Sequence, residues 1–351
     1  VRILVVGGTG FIGPPLVRQL ARAGHEVAVF HRGKAAAALP PGARAVRGDR
    51  NVLAAHAEEL RALQPDVVVD VVLSSERQAR ALMDTFRGAA ARVVALSSQD
   101  VYRACGILHG LEQGPLEPVP LTEDSALRTR LHTYPPTVIA MLKQVFAWLD
   151  DEYDKIPVER VVMGDAALPG TVLRLPMVYG PGDPLRRLFP ILKRIDDGRP
   201  ALLLDERMAA WRATRGFVEN VAAAVALAAT RDAAAGRVYN VGDDSSHTEW
   251  SWTRAVARAA GFQGDVLALP PEATPAHLHP PGNTQQHWTT STARIRAELG
   301  YVEPVSEAEA LARTIEWERA HPPAQVEPAQ FDYAAEDAAL AALPRAGERR
   351  S

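Results

Sequence analysis

The sequence predicts an α/β protein: a doubly wound parallel sheet followed by a smaller, mixed α/β lobe. Three observations predict it. Short Val-rich apolar runs alternate with helical patterns through the first half of the chain, a glycine loop joins the first run to the first helix, and the pattern changes character after Gly180.

The apolar runs are Ile3 to Val6, Glu26 to Phe30, Ala43 to Arg47, Asp66 to Val72, Arg92 to Leu96 and Thr171 to Leu175. They lack strict alternation of apolar and polar residues, which suits strands covered on both faces by crossover helices. Gly13 to Ala23 and Ser75 to Phe86 read as two of those helices. A Pro- and Gly-rich stretch from Arg103 to Pro136 breaks the rhythm and predicts a long loop without regular structure. Beyond Gly180 the strongest helical patterns are Val218 to Thr230 and the amphipathic Ser306 to Arg319. The division that follows is a dinucleotide-binding domain over 1–175 (with the loop at 103–136), a smaller substrate lobe over 176–320 interleaved with it, and an Ala-, Pro- and charge-rich tail over 321–351 that is expected to be partly ordered.

Totals narrow the class. With 351 residues, 47% hydrophobic and 23% charged, the chain has the composition of a folded globular protein. A formal net charge of -3 offers no bulk attraction to nucleic acid, so no nucleic-acid partner is expected. The single cysteine, Cys105, excludes an internal disulfide framework and fits a reducing compartment, with the cytoplasm as the default expectation. Ile3 to Val6 stops at glycines and reads as a strand rather than a signal peptide, and no stretch is long enough to span a membrane. No metal site is expected.

The most informative segment is Gly7-Gly8-Thr9-Gly10-Phe11-Ile12-Gly13, which follows a strand and opens a helix. In a Rossmann-type site, Gly7 allows the tight turn, Gly10 lets backbone approach a pyrophosphate, and Gly13 lets the helix pack on the strand while its N-terminal amides face the phosphates. Gly7, Gly10, Phe11, Ile12 and Gly13 are therefore expected to hold a nicotinamide dinucleotide. Pro14 and Pro15 fit the first helical turn, where a backbone N–H has no intrahelical partner. The second strand ends in Phe30-His31-Arg32, without the acid that bonds a ribose 2′-hydroxyl. Arg32 is either a solvated loop residue or a ligand for a 2′-phosphate, and the second reading favours NADP while leaving NAD possible. Asp49, after the third strand, is placed either to meet the adenine amine or to cap the next helix.

Seven segments in order resemble the extended, and more closely the atypical, short-chain dehydrogenase/reductases, the family of sugar-nucleotide epimerases and dehydratases. They are GGTGFIG at 7–13, LSSQDVY at 96–102, YDKIPVE at 153–159, LRLPMVYGPGD at 173–183, RGFVEN at 215–220, YNVGDD at 239–244 and STARIRAELGY at 291–301. The resemblance runs from Arg2 to about Pro322. It implies a cofactor on the N-terminal domain, a nucleotide-activated sugar in the C-terminal lobe, hydride exchange between them, and a homodimer. It puts Ser98 on the family's catalytic hydroxyl, Lys155 on the lysine that holds the nicotinamide ribose, and Leu73 beside the cofactor. Arg215 falls on the arginine that meets the substrate pyrophosphate, with Arg187 (or Arg186) assisting.

The resemblance also departs from the pattern. The family places its tyrosine four residues before the lysine, where this chain has Asp151. Tyr153 is two residues before Lys155, which on a continuous helix puts the side chains about 200° apart. Pro157 with Asp154 as a cap lets the helix begin after Tyr153 instead, leaving Tyr153 as the candidate base and Tyr134 as a second one. Gln99-Asp100 replaces the acid pair of the dehydratases, which counts against dehydration, and Met177 stands where many relatives have a substrate-binding Asn. Two readings follow: an NADP-dependent oxidoreductase or epimerase acting on an activated sugar or related hydroxy compound, or a cofactor-binding protein that has lost its chemistry and serves in regulation or RNA binding.

Overall fold

The computed structural model describes residues 1–33 and 39–343. Seven strands form one parallel sheet: β1 (Arg2–Val6), β2 (Glu26–His31), β3 (Arg44–Arg47), β4 (Val67–Asp70), β5 (Arg92–Ser98), β6 (Gly170–Leu175) and, further along the chain, Val238–Asn240. Between β6 and that last strand lie β7 (Met177–Tyr179), β8 (Ala201–Asp205) and β9 (Arg215–Phe217), so Val238–Asn240 is β10; β11 (Asp265–Leu269) follows it. The order across the sheet is β10-β6-β5-β4-β1-β2-β3. Every neighbouring pair is parallel.

Strand β1 shows why its run is apolar throughout. Ile3 and Val5 enter the core on one face, with Leu16, Leu20 and Val221, while Leu4 and Val6 enter the core on the other, with Leu82, Phe86 and Val158. A strand covered on both faces needs apolar residues at every position. The helices Gly13–Arg22 and Val218–Thr230 supply the first face, and Glu76–Phe86 and Lys155–Met163 the second. Strands run outward from β1 in both directions, and the crevice at the carboxyl ends of β1 and β4 is the point where the winding reverses.

Among the described residues, the strands outside that sheet form two small parallel pairs, β7 with β9 and β8 with β11. Because β10 rejoins the main sheet after β7–β9, the two parts are threaded through each other. The stretch from Arg103 is a correction to the sequence reading: Arg103–Leu108 is a helix, packed with every residue but Arg103 buried, and the irregular course starts only after it. A further helix, Pro136–Val145, follows the loop. In the tail, Asp332 caps a helix over Tyr333–Ala341 through the Ala335 N–H (3.0 Å), and buried Glu336 pairs with Arg194 at 2.7 Å. Residues 344–351 of that tail lie outside the described residues. No helix among the described residues is long and apolar enough to cross a membrane.

Candidate active site

The glycine loop shapes the crevice. Gly7 has φ +86°, a left-handed conformation that a side chain would strain, and its N–H donates to the Phe30 carbonyl at 3.0 Å. A Cβ on Gly13 would lie 2.4 Å from the Gly8 carbonyl carbon, so only glycine lets the helix close on the strand. Above Gly10, in contrast, a Cβ would meet nothing nearer than the Gly7 oxygen at 3.9 Å. That open space belongs to a cavity of about 370 Å³ lined by the loop, by His31, Arg32, Asp49 and Arg50, and on its far side by Phe146 and Trp148. Buried nitrogens at its wall, His31 Nε2 and Arg50 Nε and Nη1, have no hydrogen-bond partner among the described residues. A cavity beside a helix N-terminus, lined by the glycine loop and by residues that carry unpartnered nitrogens, suits the phosphates and polar groups of a dinucleotide.

The nucleotide-reading positions fall on this cavity. Arg32 lines it and donates to the Ala147 carbonyl at 3.2 Å. Arg47, paired in register with His31, brings its guanidinium carbon within 3.5 Å of where a Gly33 Cβ would stand, so two guanidiniums border the end of β2. Asp49 both lines the cavity and caps the following turn, accepting from the Asn51 N–H at 2.9 Å. Leu73 does not line it; its side chain is in the core and its carbonyl accepts from Lys155. Arg50 and Trp148 were not singled out by sequence reasoning. Arg50 pairs with buried Asp70 at 2.8 Å, and the adjacent Gly48-Asp49 turn was its only signal.

Lys155 begins its helix. Asp154, 1% exposed, caps it by accepting from the Ile156 N–H at 2.9 Å, so Tyr153 stands outside the helix, in the extended approach to it. The Lys155 Nζ donates to the carbonyls of Leu73 and Leu96 (the latter at 3.0 Å), leaving one of its three N–H groups uncommitted. It lies 5.9 Å from the Trp148 ring and 5.8 Å from the Tyr153 ring. Burial pushes its ammonium down to about 8, against the pull of Asp100 and Asp70.

At the end of β5, the Ser98 hydroxyl oxygen accepts from the Asp100 N–H at 3.1 Å, leaving its own proton to be donated. Both candidate tyrosines converge on Asp100: the Tyr153 hydroxyl donates to Oδ2 at 3.1 Å and the Tyr134 hydroxyl to the same oxygen at 3.2 Å, their rings meeting edge-on at 5.3 Å. Burial raises the Asp100 carboxyl above its ordinary range, and the Tyr153 phenol likewise; for Tyr134 the charge of Asp100 leads and burial adds. Gln99, by contrast, is committed inward, donating to Val241 O and Thr290 Oγ1, each at 3.0 Å.

The substrate-side candidates are differently placed. Met177 is half-buried against the cluster of Leu108, Trp211 and Ala213. Arg187 is held by Asp183 and the Val178 carbonyl, both at 2.7 Å. Arg215 pairs with Glu249 at 2.5 Å and stacks on Trp252 at 4.5 Å. Arg186 pairs with Glu318 at 2.8 Å. Each of the three therefore already has a carboxylate partner.

A doubly wound sheet with a glycine loop at its switch point and a cavity beside that loop defines a dinucleotide-binding α/β protein. The profile of the NAD dependent epimerase/dehydratase family matches residues 3–242, and the chain belongs to that family. A curated relative, 2′-dehydrokanamycin reductase of Streptomyces kanamyceticus, is 31% identical over 219 residues, which is 60% of this chain; the chain spans 53% of that relative's length. Among solved structures, UDP-glucose 4-epimerase of Thermus thermophilus in complex with NAD aligns with TM-score 0.59 and 24% identity, covering 91% of this chain and 99% of that one. dTDP-glucose 4,6-dehydratase of Bacillus anthracis in complex with NAD gives 0.63 and 15%, covering 92% and 97%. At these identities the structural likeness concerns the fold.

Proposed function

We propose that this chain is an NADP(H)-dependent oxidoreductase that interconverts a secondary alcohol and a ketone on a sugar ring, the sugar being nucleotide-activated or a related polyhydroxy compound. The observation that carries the reading is a cluster past the end of β5, in which Asp100 ties together a serine hydroxyl with a spare proton and two phenols, and a buried lysine with a spare N–H lies 5.8 Å from the Tyr153 ring and 5.9 Å from Trp148 at the cavity wall. The nicotinamide, when bound, accepts or supplies the hydride. The chain's own residues do the rest. Lys155, through its third N–H, holds the ribose hydroxyls. Ser98 donates to the reacting oxygen and fixes it in place. Tyr153 stands at the proton-transfer position. Arg32 and Arg47 favour NADP by offering two cations to a 2′-phosphate, with no acid at the end of β2 to repel it.

A specific observation favours a second reading of the substrate. A nucleoside diphosphate would have to compete with Glu249, Asp183 and Glu318 for Arg215, Arg187 and Arg186. An unphosphorylated glycoside needs no such exchange, and the name of the curated relative describes a reductase of that kind. The test is NADPH oxidation, followed by absorbance, with a panel of keto-sugars: 4-keto nucleotide sugars on one side and 2′-oxo aminoglycosides on the other. Turnover with either class supports the oxidoreductase reading and chooses between the two substrates; a holoprotein that binds NADPH but oxidises it with neither class overturns the reading.

A further inference from the structure

We infer that Asp100 is the store of the reacting proton, taking it from and returning it to the substrate hydroxyl by way of Tyr153; the inference rests on the oxidoreductase reading above. Asp100 follows β5 on the turn Gln99–Val101 and is 4% exposed. Its Oδ2 is the acceptor for two separate phenols, while its Oδ1 is buried with no hydrogen-bond partner among the described residues, the Arg128 guanidinium standing off at 4.0 Å. A carboxylate with one oxygen gripped by two donors and the other left bare is poorly solvated as an anion and well placed to become an acid.

The same geometry excludes the simplest role for the tyrosine. A phenol that donates its proton to a carboxylate cannot be a standing base, because phenolate and carboxylate would face each other across 3.1 Å. Lys155, the cation that would lower a phenol's proton affinity, has its Nζ turned into the Leu73 and Leu96 carbonyls, and the net effect of the surroundings on Tyr153 is upward. Tyr153 can still pass a proton on. In the oxidative direction the hydroxyl O–H of the substrate breaks as a new O–H forms on Tyr153 Oη, and the proton that Tyr153 carried moves to Asp100 Oδ2, giving a neutral phenol and a neutral carboxylic acid. In the reductive direction Asp100 gives that proton back along the same path. Two O–H bonds break and two form in each direction. Tyr134, on the same oxygen, holds the carboxyl in line.

The charged and titratable groups around Asp100 come from several elements. Arg128, in the loop after the Arg103–Leu108 helix, donates to the Asp100 carbonyl at 2.6 Å and is itself shared with Asp154 at 3.4 Å. Lys155 acts on it from the opposite helix. Cys105 and His109 lie on and beyond the short helix that follows it, and the charge of Asp100 is felt by both. The arrangement is thus a carboxyl between two cations and two phenols. As a residue that acts through Tyr153, Asp100 is a positioning and proton-holding group.

The test needs no substrate. The full chain is labelled with tyrosine carrying ¹³C at Cζ, whose chemical shift reports phenol ionisation and hydrogen bonding, and is titrated with pH; Tyr153→Phe and Tyr134→Phe assign the two signals. In the wild type these two phenols should ionise after an ordinary tyrosine. In Asp100→Asn, which keeps the shape and removes the charge, both should bind their protons about tenfold or more less tightly. Signals in Asp100→Asn that titrate as in the wild type overturn the inference, as do Tyr153 and Tyr134 signals that ionise like exposed tyrosines in the wild type. Should Asp100→Asn fail to fold, the wild-type titration still decides, because coupling through Asp100 requires Tyr153→Phe to shift the Tyr134 signal, and an unmoved signal refutes the inference. NADPH binding by fluorescence, measured alongside, separates the two failures. A wild type that does not bind NADPH sinks the oxidoreductase reading, whereas one that binds it with uncoupled phenols sinks only the proton store.

Discussion

Asp154 joins the fold to the site, and replacing it with Ala should be among the most damaging single changes in the chain. Its Oδ1 caps the Lys155–Met163 helix at 2.9 Å and its Oδ2 accepts from the His132 N–H at 2.7 Å. The Arg128 guanidinium, 2% exposed, stands 3.4 Å from Oδ1. Losing a cap costs about 1 kcal/mol, and an orphaned buried N–H about 1–3 kcal/mol. Arg128 keeps partners in the carbonyls of Asp100 (2.6 Å) and Arg130 (2.7 Å), so it is not left wholly unpaired. The contributions overlap and are not additive, and the whole falls near the cost of breaking a buried pair, about 3–5 kcal/mol. Asp154→Asn keeps an acceptor for one of the two N–H groups but not the charge, and should lose about half of that. The measurement is urea unfolding followed by tryptophan fluorescence, with NADPH affinity in parallel, since a frayed first turn displaces Lys155. An Asp154→Ala protein within about 1 kcal/mol of wild type, or one no worse than Asp154→Asn, refutes the reasoning.

Three further outcomes are expected. Gly10→Val should abolish NADPH binding at nearly unchanged stability, because the space above Gly10 is open, whereas Gly13→Ala should cost about 1–3 kcal/mol as its Cβ meets Gly8 at 2.4 Å; equal urea midpoints for the two would contradict this. Arg32→Ala and Arg47→Ala should each weaken NADPH binding by about tenfold to a hundredfold and leave NADH unchanged, and titrations in which both cofactors suffer alike would remove the 2′-phosphate assignment. Lys155 holds its proton less tightly folded, at about 8 against an ordinary 10.5. Between those values the unfolded chain binds more protons, so its contribution to stability rises with pH through that window, by about 3 kcal/mol from 2.5 pH units at 1.36 kcal/mol each. The difference in stability between wild type and Lys155→Met should therefore shift in favour of wild type as pH rises from 8 to 10.5, and a difference that stays flat would show the lysine is not desolvated.

The parallel sheet was legible because it is written in composition at every position: a strand such as β1 buries Ile3 and Val5 on one side and Leu4 and Val6 on the other, so no polar residue interrupts it. The glycine loop was legible for a steric reason, since Gly7 and Gly13 stand where no Cβ fits. Asp154, expected as a cap, does cap its helix, and the helices expected from Ser75 and Ser306 start one residue later with those serines as their caps. The misreading at Arg103–Leu108 has the opposite cause. The six residues RACGIL carry too few turns for a periodic pattern, and the helix is held by burial against elements far along the chain; the Arg128 backbone N–H, for one, reaches back to the Val101 carbonyl beside it. β10 escaped notice because three residues, Val238–Asn240, make a strand only by pairing with β6.

Within the site, what could be read were the positions fixed by backbone, and what could not were those fixed by side chains from elsewhere. Four residues before Lys155, Asp151 sits on the surface and pairs with Lys143 at 2.6 Å, which removes it from any role beside the lysine. A spacing of four has angular meaning only on a helix, and the cap at Asp154 ends the helix one residue before it would reach Tyr153. Upstream of a cap, the direction of a side chain is set by what receives it. Here the receiver is Asp100, more than fifty residues earlier, and it receives Tyr134 as well, so neither tyrosine's spacing from Lys155 encodes where its hydroxyl goes. The quantity to read in this chain is the acceptor at the end of β5. A carboxylate in LSSQDVY, buried and two residues past the serine hydroxyl that bonds its N–H, draws in whichever phenols the following loops bring within reach. The same residue that receives both hydroxyls therefore also raises the proton affinity of both phenols, after burial for Tyr153 and ahead of it for Tyr134.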